Sequence, residues 1–391
     1  MNKMLSLLIS FAFLFSSAFS QSPQKKQKIC LNMIVKNEST VIKRCLASVK
    51  NLIDYWVIVD TGSTDGTQKV IKDFMKDVPG ELHEEPWRNF EYNRNHALQI
   101  AKSKGDFLLF IDADETLGHE KDFKIPHLTK GAYLAMVQDK GSRFRRGLLI
   151  KTELDWRWEG VLHEELKCNR SYELDTLAGV EVCALYNDGN RSQDPNKYLK
   201  DALALEDALK KDPKNSRYVY YLAQSYNNAQ KWEEALKWYK KRTTMGGWDQ
   251  EVYFSTYVVA TLEEKLNRPP EEFIKTYSNA YRRRPTRAEP LYRIANYYRT
   301  KGQFLLGYII SKFALSIQLP NDIIHVDEWV YAYGLDCCFA CCASELGQYS
   351  DAKKYFSKML EFEHLPKELR KSVRKDLVAI ESNIFLNSHK R

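Results

Sequence analysis

A buried apolar run that breaks off into acids is the strongest constraint in this chain. Phe107-Leu108-Leu109-Phe110-Ile111 is followed at once by Asp112-Ala113-Asp114-Glu115. An unbroken apolar run of this length reads as a strand covered on both faces. Carboxylates are tolerated next to it only where the strand leaves the core. The pattern recurs. "YWVIVD", 55–60, ends in Asp60 and enters "TGSTDGT", and the strand-like run 28–35 ends in "VKNES". Helical patterns lie between, at 39–50, 64–75 and 91–102, with a short strand region at Leu82-His83. Strands alternating with helices at this spacing imply βαβ units and a mainly parallel sheet. From Ala132 to Tyr186 the pattern changes to short strands with few helices, expected as an antiparallel appendage to the same sheet.

At "NDGNRSQDPNK", 187–197, the composition shifts to polar turn-formers, and the rest of the chain is helical and repetitive. Leu222, Ala223, Tyr226, Ala235 and Tyr239 have the spacing of a tetratricopeptide motif, and Leu291, Ile294, Ala295, Tyr298 and Ala314 repeat it. Stacked hairpins of this kind bury one another's apolar faces, and a protein partner on the concave side is a further use. A length of 391 residues agrees with two or three domains. The net charge of +8 resides partly in runs such as Arg282-Arg283-Arg284. No aromatic-plus-basic motif accompanies them, so a nucleic-acid partner is not expected.

The leader "MNKMLSLLISFAFLFSSAFSQS" pairs Lys3 with an uncharged stretch to Phe19. That stretch spans roughly 24 Å as a helix, short of a ~30 Å bilayer core. It reads as a signal peptide over 1–20 and points to the secretory pathway or export; a membrane anchor or a cytoplasmic enzyme are the alternatives. Four of the eight cysteines form "CCFACC", 337–342, whose spacing suits packing between helices better than disulfides or zinc.

In open α/β sheets ligands bind beyond the carboxyl ends of the strands. Asp112 and Asp114 at such an end can cap a helix or hold Mn2+ or Mg2+ against a phosphate. A DxD pair alone is common in any chain. Here Asp60 and Asp65 on one loop and Asn37 and Glu38 on another deliver polar groups to the same edge, outlining a nucleotide-sized site. Arg94 and Asn95, near a helix start, are placed to meet a diphosphate, although Arg94 also reads as a plain surface charge. In "WRWEGVLHEEL" Trp156 and Trp158 alternate as strand residues, and His163 is either a core histidine or part of the site with Glu164.

Taken in order, "ICLNMIVKNES", "IVDTGSTDGT", "EPWRNFEYNRNHAL", "GDFLLFIDADE" and "WRWEGVLHEEL" resemble family 2 glycosyltransferases of the GT-A fold, in a subgroup whose catalytic domain precedes tetratricopeptide helices. The resemblance covers nearly everything after residue 27. It implies an α/β, Rossmann-like GT-A domain over 28–190 and an all-α repeat domain over 191–391. It further implies inverting, metal-dependent transfer from a nucleotide-sugar donor, UDP-linked, to a glycan, lipid or protein acceptor. Asp60 would then bind the base, Asp112 the ribose and the metal side, and Asp114 and His163 the metal. Glu164 would serve as the base near the acceptor, with Glu165 in reserve should the chain turn there. Thr61 stands where many members carry a second Asp, and "HEE" takes the place of the usual acceptor-side signature. Two other readings compete: a tetratricopeptide scaffold with an inactive transferase-like domain, and a nucleotidyltransferase, for which "VKNES" lacks the glycine loop.

Overall fold

The computed structural model describes residues 26–139, 142–184 and 188–388. The leader expected at 1–20 lies outside the described residues. Among the described residues no helix is long and apolar enough to cross a membrane.

The first domain alternates as the pattern implies. Strands β1 (Ile29–Val35), β2 (Tyr55–Asp60), β3 (Gly80–Glu84) and β4 (Phe107–Phe110) alternate with helices α1 (Ile42–Val49), α2 (Thr67–Met75) and α3 (Phe90–Ala101). Six further strands follow: β5 (Thr116–His119), β6 (Ala132–Asp139), β7 (Ser142–Lys151), β8 (Trp156–Glu159), β9 (Glu165–Cys168) and β10 (Leu174–Cys183). Eight of the ten form one sheet in the order β3-β2-β1-β4-β7-β6-β10-β5, and β8 and β9 pair separately as a hairpin. The first four strands are parallel. Because side chains alternate along a strand, Leu31, Met33, Phe107 and Leu109 pack on α1 and α2. Cys30, Leu108 and Phe110 pack on the opposite face with α3 residues Leu98 and Ala101 and with Trp156.

Two expectations need correction. β4 stops at Phe110, so Ile111 and Asp112 already lie beyond the sheet. The region after Ala132 is not simply antiparallel. β7 runs antiparallel to β4 and β6, and β10 antiparallel to β5, but β10 pairs with β6 in parallel. The long excursion through β7 and the β8–β9 hairpin brings the chain back in the direction of β6, which a tight turn could not do.

The second domain contains α4 (Lys197–Lys211), α5 (Ser216–Asn228), α6 (Trp232–Thr243), α7 (Asp249–Lys265), α8 (Pro270–Arg283), α9 (Glu289–Thr300), α10 (Phe304–Ala314), α11 (Leu335–Glu345), α12 (Tyr349–Glu361) and α13 (Lys367–Ser388). The repeat is visible in its turns. Gln230, Asn267, Gly302 and Gly347 each take a left-handed conformation just past α5, α7, α9 and α11. After each one, the next N–H returns to a carbonyl five residues back: Lys231 to Tyr226, Arg268 to Glu263, Gln303 to Tyr298 and Gln348 to Ala343, at 2.8–2.9 Å. These are Schellman closures, which satisfy the last carbonyls of the helix. Cys338 and Cys342 are buried with Ala295, and all eight cysteines are free.

The segment between α10 and α11 returns to the first domain. Val326 bridges to Arg143 of β7, the Arg145 N–H donates to the Ile323 carbonyl at 3.3 Å, and the His325 ring lies 5.0 Å from Phe144. Arg287, 1% exposed, anchors this segment from the repeat side. It donates to Glu289 at 2.6 Å, to Asp322 at 3.1 Å and to the His325 carbonyl at 2.6 Å. Removing the cation would leave buried carboxylates uncompensated. Arg287→Met should therefore destabilise the chain by ~3–5 kcal/mol in urea denaturation. An unchanged midpoint and slope would show that the pair contributes nothing net.

Candidate active site

The loops after β1 and β2 are laced together at the sheet's carboxyl edge. Asn37, at a positive φ of 56°, accepts from the Thr64 N–H at 2.8 Å and donates its own N–H to Ser63 Oγ at 2.8 Å. Asp65 accepts from the Thr67 N–H and the Ser39 N–H, both at 3.0 Å, and from Thr67 Oγ1 at 2.6 Å. Burial opposes ionisation of Asp65, but these hydrogen bonds outweigh it and hold its carboxyl at about 2. Asn37 and Asp65 thus set loop shape. Asp60 differs. It is 1% exposed; Oδ1 accepts from the Gly62 and Ser63 N–H groups at 2.8 and 2.7 Å, and Oδ2 is buried with no partner among the described residues. A buried acceptor left unpaired costs ~1–3 kcal/mol, which a ligand N–H would recover.

Beyond β4 the acids meet two arginines. Arg94 Nη2, on α3, donates to Asp112 Oδ1 at 3.1 Å, and its Nε donates to Glu164 Oε1. Arg146, on β7, donates to Glu115 Oε1 at 2.9 Å and lies 3.8 Å from Asp112 Oδ2. Glu115 accepts from the Asp112 N–H at 3.1 Å, which closes the turn. The Asp112 side chain is still 46% exposed, as a group lining a cleft should be. Burial opposes its charge, but Arg94 and then Arg146 hold its carboxyl below the usual range. Asp114 makes no ion pair among the described residues, and burial, then the Asp112 charge, raises its carboxyl. Burial likewise pushes Glu38 up to about 7, despite the 3.2 Å hydrogen bond it accepts from the Asn190 N–H; Asp114, Asp65 and Asp112 add to the rise.

The hairpin turn does not run extended through "HEE". Gly160 and His163 both take positive φ, 122° and 50°, because the chain must reverse between β8 and β9. The chain thus turns at this point, the case for which Glu165 stands in reserve as the base. Glu164 turns inward to Arg94 and its side chain is 7% exposed, whereas that of Glu165 is 49% exposed. The Glu165 carboxylate lies 4.0 Å from Lys167 Nζ. The His163 ring stacks on Tyr221 at 4.0 Å, and its carbonyl accepts from Arg217 at 2.8 and 3.1 Å. His163 stays accessible at the wall of the cleft. Burial in that wall, reinforced by Arg191, Arg217 and Lys197, lowers its imidazole to about 3. Asp112, Asp114 and His163 do not form a ready three-ligand set: among the described residues no group of three such side chains could hold a metal ion. Asn95 grips the backbone of Trp158 from both sides at 2.8 Å, a structural clamp in place of the expected diphosphate contact.

Several site residues were not anticipated. Arg146 is one. Arg44 is another; it holds Asp188 through both carboxylate oxygens at 2.8 Å and the Asp114 carbonyl at 3.1 Å. Gly189 lies so close that a Cβ there would sit 2.6 Å from Asp114 Oδ2. Arg191 and Lys197 complete the group. All but Arg44 and Arg146 come from the stretch that reads in sequence as a linker, where turn-forming composition conceals a packed segment.

Comparison with known proteins agrees with this geometry. Residues 30–128 match Glycosyl transferase family 2. The SPbeta prophage-derived glycosyltransferase SunS of Bacillus subtilis (strain 168) is 28% identical over 234 residues, covering 54% of this chain and 52% of that protein. An uncharacterized glycosyltransferase of Rickettsia bellii (strain RML369-C) is 31% identical over 146 residues, covering 37% of this chain and 46% of that one. The chain spans about half the length of the curated relatives it matches. The crystal structure of MamA overlays on 46% of this chain and 94% of its own, at 17% identity and a TM-score of 0.36. Residues 30–128 of the α/β domain are thus similar to family 2 glycosyl transferases, and a domain of paired helices follows.

The environment of His163 yields a direct test. Its imidazole should remain neutral from pH 5 to 8, with constant ring chemical shifts in an NMR titration of the folded chain. A midpoint between pH 6 and 7 would mean that neither burial nor the surrounding cations govern it.

Proposed function

We propose that the protein transfers a glycosyl group from a uridine-diphosphate sugar to an acceptor held between the α/β domain and the helices, with inversion at the anomeric carbon. One observation carries the reading. A single sheet edge brings together Asp60, with a buried oxygen awaiting an N–H donor, the Asp112 carboxylate fixed by two arginines, and Asp114, in no ion pair among the described residues. The imide N–H of uracil suits Asp60 Oδ2. Asp112 lies where the ribose and diphosphate follow.

The residues also fit a divalent cation. Asp112 and Asp114 press negative charge together and Asp114 forms no ion pair among the described residues, so Mn2+ or Mg2+ would relieve their repulsion. Such an ion commonly takes only one or two carboxylates and completes its shell with phosphate oxygens and water, so a third protein ligand is not required. When bound, it would supply positive charge to the diphosphate as that group leaves. Arg94 orients Asp112 and, through Glu164, locks the hairpin turn against the donor side.

In the transfer, an acceptor oxygen bonds to the anomeric carbon while the bond from that carbon to the β-phosphate oxygen breaks. The electron pair leaves with UDP, and the acceptor's proton passes to a base. Glu164 is engaged by Arg94, so the accessible Glu165 takes the base role in this reading. The acceptor, whether glycan, lipid or protein, would approach from the helical side.

Two measurements bear on this. Asp114→Asn should abolish Mn2+-dependent UDP binding in calorimetry while the melting profile stays intact; equal UDP affinity in variant and parent would sink the metal assignment. Glu165→Gln should keep UDP affinity and slow glycosyl transfer by ~100-fold or more, because the amide cannot accept the proton. Should Glu164→Gln alone show that behaviour, the two roles are exchanged.

A further inference from the structure

The segment joining the domains lies directly on the carboxyl edge of the sheet. Asp188 is held by Arg44, Gly189 abuts Asp114, and the Asn190 N–H caps Glu38. Arg191 then turns to Asp201 and lies over the Phe90 ring at 4.8 Å. These contacts fix where the first residue of α4 begins. That residue is Lys197, half-buried and in no salt bridge among the described residues. Its Nζ lies 5.2 Å over the Tyr198 ring. Arg191, Asp201, Asp114 and Asp112 are among the charged groups that act on it, and its own charge acts on His163.

A half-enclosed ammonium without a carboxylate partner is costly unless an anion arrives. Asp112 and Asp114 do not fill that role, because they lie beyond salt-bridge reach and are the groups expected to face a cation. Because the segment that leads into α4 packs on Asp114 and Glu38, the anion that meets Lys197 must carry negative charge and also be able to share a cation with the acids. A diphosphate does both.

Building on the nucleotide-sugar reading above, we infer that Lys197 is a donor-contact residue whose ammonium binds the β-phosphate, so that the helical domain completes the donor site. The same contact acts in transfer. As the bond between the anomeric carbon and the β-phosphate oxygen breaks, both electrons stay on the phosphate, and a fixed ammonium stabilises the charge that develops there. The α/β domain without α4 would lack this group.

The test compares UDP with UMP, which has no β-phosphate. Binding of each, with Mn2+ present, is measured by calorimetry on the full chain and on its Lys197→Met, Lys197→Gln and Lys197→Arg variants. Lys197→Met and Lys197→Gln should each weaken UDP binding by about tenfold or more, the scale of one charge-assisted hydrogen bond. UMP affinity should stay within about twofold, which also reports an intact fold, and Lys197→Arg should recover part of the loss. Unchanged UDP affinity in the Met and Gln variants, with the parent binding UDP, overturns this inference and leaves the donor reading standing. Equal losses for UDP and UMP overturn it as well, since the contact would then not be to the β-phosphate. A parent that binds neither nucleotide overturns the donor reading and this inference with it.

Discussion

Arg94 is the group on which the site's geometry depends. One guanidinium, set on α3, joins the acid at the end of β4 to the acid in the β8–β9 turn, two pieces of chain brought together only by folding. It is itself seated 5.1 Å over the Trp158 ring, which packs edge-on against Phe110. The aromatic pair thus holds the cation, the cation holds the two carboxylates, and Asp112 can remain ionised in a crowded cleft. A planar, always-charged fork suits this better than a lysine would, because two directions must be satisfied at once.

Much of this could be read from residue order. The apolar runs ending in Asp60 and Asp112 mark strands that leave the core at one edge, and the tetratricopeptide spacing of Leu222 to Tyr239 marks paired helices. What stayed hidden has physical causes. Arg146 sits in "RFRRG", where only the register of β7 decides that Arg143 and Arg145 meet the α10–α11 segment while Arg146 meets Glu115. The roles of Glu164 and Glu165 hinge on backbone dihedrals at Gly160 and His163, which no side-chain pattern reports. Asn95 and Asp65 look like ligands by residue type, yet their polar atoms are occupied by the backbone. The parallel pairing of β10 with β6 arises from a long excursion whose direction periodicity does not encode.

The repeats show the same division between legible and hidden. Sequence spacing makes them look degenerate, because the insertion between α10 and α11 interrupts the array. Their four Schellman closures show that the backbone repeats faithfully even where side chains have drifted. Glutamine, asparagine and glycine all serve at the left-handed position, so the turn constrains dihedral angle more tightly than residue identity.

The α10–α11 segment bears on how firmly the two domains are joined. The helical array is tied to the α/β domain at the 188–197 junction, again where Arg217 and Tyr221 hold the His163 turn, and a third time where residues 321–326 meet β7. A body pinned at three separated points does not swing as a lid does. The three attachments instead hold the helical array against the carboxyl edge of the sheet from separate sides, so the wall that His163 and Tyr221 form keeps its place relative to Asp112 and Asp114.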